Sequence, residues 1–163
     1  MISRKKEITE RLRREFEVCD KHILRINEAL GELQVALPMT VDSYARLAAG
    51  QVRCLDQFIF RFSKLQDAMG AKIFRYLLEY LDEDVSALPM RDILNRMERY
   101  LFIPSADEWN YIRELRNEIS HDYPLLEMDS VAILNELLSK VSVMLTIYEK
   151  LKTTFLSESP FFL

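Results

Sequence analysis

The stretch that decides the fold spans residues 8–33 and reads ITERLRREFEVCDKHILRINEALGEL. Its apolar side chains recur every three or four residues, at Ile8, Leu12, Phe16, Cys19, Ile23, Ile26, Leu30 and Leu33. This spacing places them on one stripe of an α-helix and leaves the charged residues on the other faces. We therefore predict a helix over residues 3–36, which Pro38 ends because proline cannot continue the helical hydrogen bonding.

The same periodicity continues to the end of the chain. Further helices are predicted from Thr40–Ser43 to Leu81, from Pro89 to Leu101, from Ser105 to about His121, and over about 129–156. Only three glycines and five prolines occur, and no segment is typical of a strand. We predict one all-α domain over residues 1–163, an up-down bundle of about five helices with a long first helix, 3–36, and a core bundle, 40–156.

The second predicted helix has two unusual features. Gly50 and Gly70 lie inside it, which predicts close helix contacts or small kinks at those points. Its aromatic side chains are spread over more than one face, at Phe58, Phe60, Phe62, Phe74, Tyr76 and Tyr80. This spread indicates burial on more than one side, and one of those sides is a candidate subunit interface.

Composition narrows the possible functions. The net charge of −4 argues against broad, non-specific binding to nucleic acid, which needs a basic surface. Cys19 and Cys54 are expected to be free thiols, since neither has metal-ligand spacing with a histidine. No signal peptide, membrane-spanning run of about 18 apolar residues or glycine-rich nucleotide loop is evident, so a cytoplasmic protein without a membrane partner is expected.

Residues 116–123, RNEISHDY, hold the candidate chemistry. His121 is one of two histidines; the other, His22, is interpreted as a surface residue without a role. An imidazole titrates near neutral pH and a guanidinium is always charged, so His121 and Arg116 together suit cleavage of a phosphodiester. Asn117 lies one turn before His121, where its amide can hold the imidazole in one orientation.

Helical geometry sets a condition on this pair. Arg116 lies about 40° from the core residue Ile112 and therefore at the rim of the buried face. Arg116 and His121 are about 140° apart on an ideal helix, so they converge only if the helix loosens at Ser120–His121, before Pro124, or if a second subunit contributes an equivalent pair.

Each of these residues also has a structural interpretation. A histidine at a helix C-terminus favours the helix dipole when it is protonated. Arg116 can form a surface ion pair with a nearby acid, for which Glu114, Glu118 and Asp122 are the candidates. Asn117 can be an ordinary polar residue near a helix end, and Tyr123 can be a packing aromatic with a solvated hydroxyl.

The arrangement Arg116-Asn117-x-x-x-His121-x-Tyr123, at the end of the penultimate helix, resembles the motif of the HEPN superfamily. Its R-x4-H-x-Y form is similar to that of HEPN toxins paired with minimal nucleotidyltransferases, and the resemblance covers about residues 40–156. The resemblance implies a homodimeric ribonuclease of a toxin–antitoxin pair, with RNA as substrate and neither metal nor other cofactor. His121 would be the general acid or base in attack of a ribose 2′-hydroxyl on its own phosphate, Arg116 would bind that phosphate, and Asn117 would orient His121. Tyr123 would be the site at which the nucleotidyltransferase antitoxin adds AMP and so blocks the cleft.

Two alternatives stay open at this point. The protein can be a non-catalytic HEPN companion of a nucleotidyltransferase, or a helical dimer without chemistry in which Arg116 and His121 lie apart. The long first helix can pack along the bundle or hold a partner.

Overall fold

The computed structural model describes the backbone of residues 2–122 and 128–158, and the side chains of residues 3–121 and 130–157. The helices are α1 (Ile2–Leu33), α2 (Val41–Ala45), α3 (Ala49–Ala68), α4 (Phe74–Tyr80), α5 (Met90–Arg99), α6 (Ala106–Asp122), α7 (Met128–Ser139) and α8 (Val141–Glu158). A 3-10 turn, Gln34–Ala36, follows α1, and a π-helical segment, Met69–Ile73, joins α3 to α4. No strand occurs in the described residues, so the prediction of an all-α bundle is confirmed.

The first helix packs along the bundle. Of its predicted stripe, Ile8, Leu12, Phe16, Cys19, Ile26 and Leu33 are buried, and Ile23 and Leu30 are half-buried against the same core. Ion pairs join Lys5 to Asp82 at 3.2 Å and Glu15 to Lys72 at 3.1 Å. Lys5, near the start of α1, pairs with Asp82, whereas Glu15, farther along α1, pairs with the earlier residue Lys72. The first helix α1 therefore runs antiparallel to α3 and α4.

The second predicted helix is divided into three parts. Thr40 caps α2 as expected, since its hydroxyl accepts a hydrogen bond of 2.9 Å from the Ser43 N–H. However, α2 ends at Ala45, and a new helix begins where the Gln51 side chain accepts from the Ala48 N–H at 2.9 Å. The π-helical segment then interrupts the stretch around Gly70, so the kink predicted there is a change of helical pitch.

The last helix is also divided. Lys140 separates α7 from α8. Both parts bury apolar side chains in the core, at Val131, Leu134, Leu137, Val141, Tyr148, Leu151 and Phe155. Among the described residues, Ser130–Ser157 has the length and composition of a membrane-spanning helix, but the core helix of a soluble protein meets the same criterion. This finding does not contradict a soluble protein. Location in the cytoplasm stays a prediction.

The segment between α1 and α2 is held to α7 by one side chain. The Asn135 Oδ1 accepts from the Met39 N–H at 2.8 Å, and the Asn135 Nδ2 donates to the Met39 carbonyl at 2.7 Å. We expect Asn135→Ala to lower the free energy of unfolding by about 2–3 kcal/mol, because it leaves both polar groups of the buried Met39 backbone without these bonds. Urea unfolding measures this effect. Asn27→Ala, at an exposed position on α1, is the control and should change the free energy by less than about 0.5 kcal/mol; equal effects of the two substitutions would refute the prediction.

Candidate functional site

Helix α6 carries the predicted catalytic residues, and its start and its buried face agree with the sequence. The Ser105 hydroxyl accepts from the Glu108 N–H at 3.1 Å, as a helix N-cap does. Trp109, Ile112, Leu115 and Ile119 are buried and fix the rotation of the helix. Trp109 stacks at a tilt on Phe74, with ring centroids 4.6 Å apart, so α6 packs against the junction of the π-helical segment and α4.

Arg116 lies at the rim of the buried face, as predicted, with its side chain 12% exposed. Its partner among the described side chains is an acid of another helix, and neither Glu114 nor Glu118 pairs with it; the Asp122 side chain lies outside the described residues. The Arg116 Nη1 donates to the Asp67 carboxylate of α3 at 3.1 Å. The Arg116 Nε is buried and has no hydrogen-bond partner among the described residues. Among the described residues, the guanidinium therefore has one ion-pair partner, and its Nε donor has none.

His121 and Asn117 are both exposed to solvent. His121 lies in the last turn of α6 and forms no hydrogen bond or ion pair with the side chains that the structure describes. No hydrogen bond joins the described side chains of Asn117 and His121, so orientation of the imidazole by Asn117 stays a prediction. Tyr123 and Pro124 lie outside the described residues.

The helix does not loosen at Ser120–His121, so the first of the two conditions for convergence is not met. Helix α6 continues through Asp122, and the Ser120 hydroxyl donates to the Arg116 carbonyl at 2.8 Å, one turn back. A regular helix keeps Arg116 and His121 about 140° apart in direction and about 7.5 Å apart along the axis. Within one chain, the imidazole and the guanidinium therefore face different sides of α6.

Two concave surfaces lie on either side of Asp67. One, which we call the Gln66 cavity, has a volume of about 130 Å³ and is lined by Gln66, Asp67, Gly70, Ala71, Met90, Trp109, Arg113 and Arg116. The other, the α3–α6 groove, has a volume of about 440 Å³ and is lined by Asp56, Ile59, Phe60, Ser63, Lys64, Asp67 and Ser120. Among the described residues, the groove lining reaches Ser120 and does not include His121. Arg116 faces the cavity, whereas the chain just before His121 faces the groove.

Sequence reasoning missed Gln66 and Asp67. Gln66 is buried, at 3% exposure, and neither its amide oxygen nor its amide nitrogen has a hydrogen-bond partner among the described residues. The one signal in the sequence was Gly70, whose place inside a helix predicted a close contact. The structure confirms that contact, because a Cβ at Gly70 would lie 3.5 Å from the Trp109 ring.

An exposed aromatic side chain flanked by cations marks the α3–α6 groove. The Phe60 ring is 54% exposed, and Arg61 and Lys64 each place their charge 5.6 Å from its centroid. An exposed ring with two cations nearby suits stacking of a nucleobase with its phosphate nearby. The sequence counted Phe60 among the aromatics of a possible subunit interface, and its exposure in one chain is compatible with both uses.

His22 is not the isolated surface residue that the sequence predicted. It is half-buried, and the Arg61 Nη1 lies 3.1 Å from its Nδ1, where a neutral imidazole can accept a hydrogen bond. Burial, and then the positive charges of Arg61 and Lys64, lower the pKa of His22 from its ordinary 6.5.

This lowered pKa predicts a loss of stability in acid. At pH values near and below 6.5, the pKa of His22 in the unfolded chain, the unfolded chain binds the proton more readily than the folded chain. The free energy of unfolding therefore falls as the pH is lowered through 6.5 towards the lower pKa of His22 in the folded chain. We expect His22→Gln to reduce the difference between urea midpoints measured at pH 7.5 and at pH 5.5. An unchanged difference would show that His22 does not titrate with folding.

The two cysteines are free, as predicted. Burial, with the negative charges of Glu15 and Asp20, raises the pKa of Cys19 to about 12, so its thiol stays protonated. Among the described residues, no group of three histidine, cysteine, aspartate or glutamate side chains is placed to hold a metal ion. Chemistry without a metal stays a prediction.

No protein-family model, curated protein or solved structure matches this chain significantly.

Proposed function

We propose that this protein is a metal-independent endoribonuclease whose site is completed by two copies of the chain. The observation that carries the proposal is the state of the two motif side chains on α6. Arg116 is held by Asp67 at 3.1 Å with a donor left free, and His121 is exposed without a partner among the described side chains. A guanidinium and an imidazole are the groups that phosphodiester cleavage uses.

The reaction follows from the chemistry of these two groups. His121 takes the proton from a ribose 2′-hydroxyl, and the 2′-oxygen then attacks the adjacent phosphorus. The bond from phosphorus to the 5′-oxygen breaks, and that oxygen takes a proton from water. The products are a 2′,3′-cyclic phosphate and a 5′-hydroxyl, and the Arg116 guanidinium stabilises the additional negative charge on the phosphoryl oxygens.

A second copy is part of the proposal because one chain keeps the two groups about 140° apart on a regular helix. Two α6 helices related by a two-fold axis can present the His121 of one chain to the Arg116 of the other. The α3–α6 groove, with Phe60 near Arg61 and Lys64, would then guide single-stranded RNA towards the shared site.

Regulation is the other part of the proposal. A nucleotidyltransferase antitoxin would transfer AMP from ATP to the hydroxyl of Tyr123, two residues beyond His121 in the sequence, and would release pyrophosphate. A bulky group with a negatively charged phosphate, attached two residues from His121 in the sequence, would repel the RNA backbone and obstruct the site. The pair would then work as a toxin and an antitoxin in the cytoplasm.

One observation favours a second candidate, a non-catalytic companion of a nucleotidyltransferase. Arg116 is engaged with Asp67 and little exposed, and the chain as a whole carries a net charge of −4. Both features reduce affinity for a phosphate backbone. Cleavage of RNA in the presence of a chelator, compared between the wild-type protein and His121→Ala, separates the two candidates.

A further inference from the structure

A third concave surface, which we call the α8 groove, lies between helix α8 and the turn that joins α5 to α6. Its volume is about 560 Å³, within the roughly 300–1,000 Å³ of pockets that bind small molecules. The turn contributes residues 101–104 to the lining, and α8 contributes residues between Ser142 and Lys150. Arg116 and His121 are not among the described residues that line it, so the groove is separate from the proposed RNA site.

The α8 side of the groove has a polar row and an apolar row. Ser142, Thr146 and Lys150 follow one another at intervals of four residues, so they share one face of the helix, and Val143 and Ile147 form the neighbouring row. The polar row extends about 12 Å from Ser142 to Lys150, at about 1.5 Å per residue. A row of side chains along a helix favours an elongated occupant over a compact one.

The groove has a single charge, and it lies at one end. The Lys150 Nζ donates to the Leu101 carbonyl at 2.5 Å, and both residues line the groove, so the ammonium lies where α8 meets the turn. An ammonium has three donors, and no described acid pairs with this one. The other described side chains of the lining are neutral. An anion is therefore the charge-complementary group for this end of the groove.

The surface around the groove is unusually apolar for a surface in contact with water. Ser130–Ser157 has the hydropathy of a membrane-spanning helix, yet its most apolar window is only 33% buried in the bundle, whereas the core helix of a soluble protein is mostly buried. The Leu101 side chain, across the groove, is 72% exposed. An apolar occupant of the groove would remove part of this surface from water.

The turn holds Leu101 at the groove in a conformation that glycine usually adopts. Helix α5 ends in a Schellman motif, in which the Phe102 N–H bonds to the Met97 carbonyl and the Leu101 N–H to the Glu98 carbonyl, both at 2.9 Å. Leu101 therefore has a φ of 60°, in the left-handed region. A leucine with most of its side chain in solvent stabilises neither the helix end nor the core. Contact with a ligand gives this strained residue a role.

Charge, length and volume together select the ligand. One ammonium matches the single charge of a carboxylate, whereas a phosphate group carries a charge of about −2 and accepts through three oxygens. An extended alkyl chain advances roughly 1.3 Å per carbon, so about ten carbons follow the row along α8. With each heavy atom taking about the liquid volume of a water molecule, such an acid needs roughly 360 Å³, which the groove exceeds.

We infer that the α8 groove binds an unbranched carboxylic acid of about ten carbons. Its carboxylate bonds to Lys150, and its alkyl chain lies between Leu101 and the apolar row of Val143 and Ile147. The inference goes beyond the proposed function and does not depend on it.

Calorimetric titration of the full chain with decanoate, below the concentration at which the acid forms micelles, tests the inference. Decanoate should bind saturably at one site, 1-decanol about 3- to 10-fold more weakly because it lacks the charge, and acetate without measurable heat. Affinity should rise about two- to fourfold for each CH₂ from hexanoate to decanoate. It should level off beyond about twelve carbons, where the chain outgrows the groove. Adamantane-1-carboxylate, which is charged but compact, should bind at least about tenfold more weakly than decanoate.

Lys150→Met removes the charge and keeps much of the side-chain length. It should weaken decanoate binding about 3- to 10-fold, to the level of 1-decanol, and leave 1-decanol binding unchanged, which also shows that the variant is folded. Lys21→Met is the matched control, because Lys21 is exposed on α1 and its loss changes the net charge of the chain equally. It should leave the binding of both ligands unchanged.

Leu101→Gly separates binding from stability. It removes one wall of the groove, so it should weaken the binding of decanoate and of 1-decanol about 3- to 10-fold. It should also raise the melting temperature or leave it unchanged, because glycine adopts a φ of 60° without strain and the leucine side chain is mostly exposed.

Four results would overturn the inference. They are the absence of saturable decanoate binding, equal binding of adamantane-1-carboxylate, and decanoate binding that neither Lys150→Met nor Leu101→Gly weakens. The fourth is sedimentation of the chain with vesicles of phosphatidylcholine and phosphatidylglycerol without any binding of decanoate, which would assign this apolar face to a membrane surface. The titrations need no RNA, so a failure here leaves the proposed ribonuclease untouched, and a protein that cuts no RNA can still bind the acid.

Discussion

Replacing His121 with alanine is expected to lower the rate of RNA cleavage about 10²- to 10⁴-fold, the usual contribution of general acid–base catalysis. The imidazole is exposed in the last turn of α6 and bonds to no described side chain, so its removal leaves the core untouched. Its contribution to the helix dipole is at most about 1 kcal/mol at such a position. A large loss of rate with a small loss of stability therefore identifies a chemical role.

The assay compares single-stranded RNA with a 2′-deoxy strand of the same sequence, in the presence of a chelator. The RNA should be cut to products that end in a 2′,3′-cyclic phosphate, and the deoxy strand should stay intact. Glu118→Ala is the control on the same helix, because Glu118 is also exposed and has no part in the proposed reaction; its rate should stay within about twofold of wild type. Equal rates for wild type and His121→Ala, or no cleavage by either, would refute the ribonuclease and favour the non-catalytic companion.

Mixing two inactive variants tests whether the site is shared. His121→Ala and Arg116→Met each lack one group, and Arg116→Met keeps much of the buried side-chain volume. If His121 of one chain works with Arg116 of another, chains co-expressed as a mixture should regain part of the activity, because one of the two sites in each mixed dimer is complete. No recovery in a mixture shown to contain mixed dimers would mean that each site belongs to a single chain.

The helices could be predicted because the spacing of apolar side chains along each one indicates which of its faces is buried. On α6, the sequence alone placed Ile112 in the core and Arg116 at its rim, and both positions are confirmed. These predictions need only the angle between successive residues of a helix. They hold because burial of an apolar stripe outweighs every local alternative along such a segment.

The partner of Arg116 could not be predicted in this way. Acids close in sequence were the natural candidates, whereas the structure pairs Arg116 with Asp67, 49 positions away. That choice depends on how α3 and α6 are placed against each other. Exposed ion pairs contribute so little free energy that they follow the packing of the helices and do not determine it.

The Gln66 cavity depends even more on tertiary structure. Whether a glutamine in a helix is solvated or buried depends on which face of the helix it lies on. The π-helical segment at Met69–Ile73 inserts a residue and so changes which residues share a face across it. Gly70 was a partial signal, since a glycine inside a helix is tolerated for a reason of packing or function. The sequence could thus indicate where to look but not which polar atoms would be left without partners.

The second large effect is expected at the first helix, whose role the sequence left open. Phe16 is buried on α1, with its ring centroid 5.9 Å from that of Tyr148 and 5.8 Å from that of Phe155, both on α8. Phe16→Ala removes these contacts and creates a cavity between the first and last helices. We expect it to lower the free energy of unfolding by about 3–5 kcal/mol, a large part of the roughly 5–15 kcal/mol that domains possess.

Val18→Ala is the control on the same helix, because Val18 is 44% exposed on the opposite face. It should change the free energy of unfolding by less than about 0.5 kcal/mol. Guanidinium unfolding followed by circular dichroism measures both variants. If α1 mainly held a partner and contributed little to the core, Phe16→Ala and Val18→Ala would have similarly small effects in the isolated protein. A difference of several kcal/mol between them means that the bundle needs α1 in order to fold, so any partner must bind the charged face that α1 leaves in solvent.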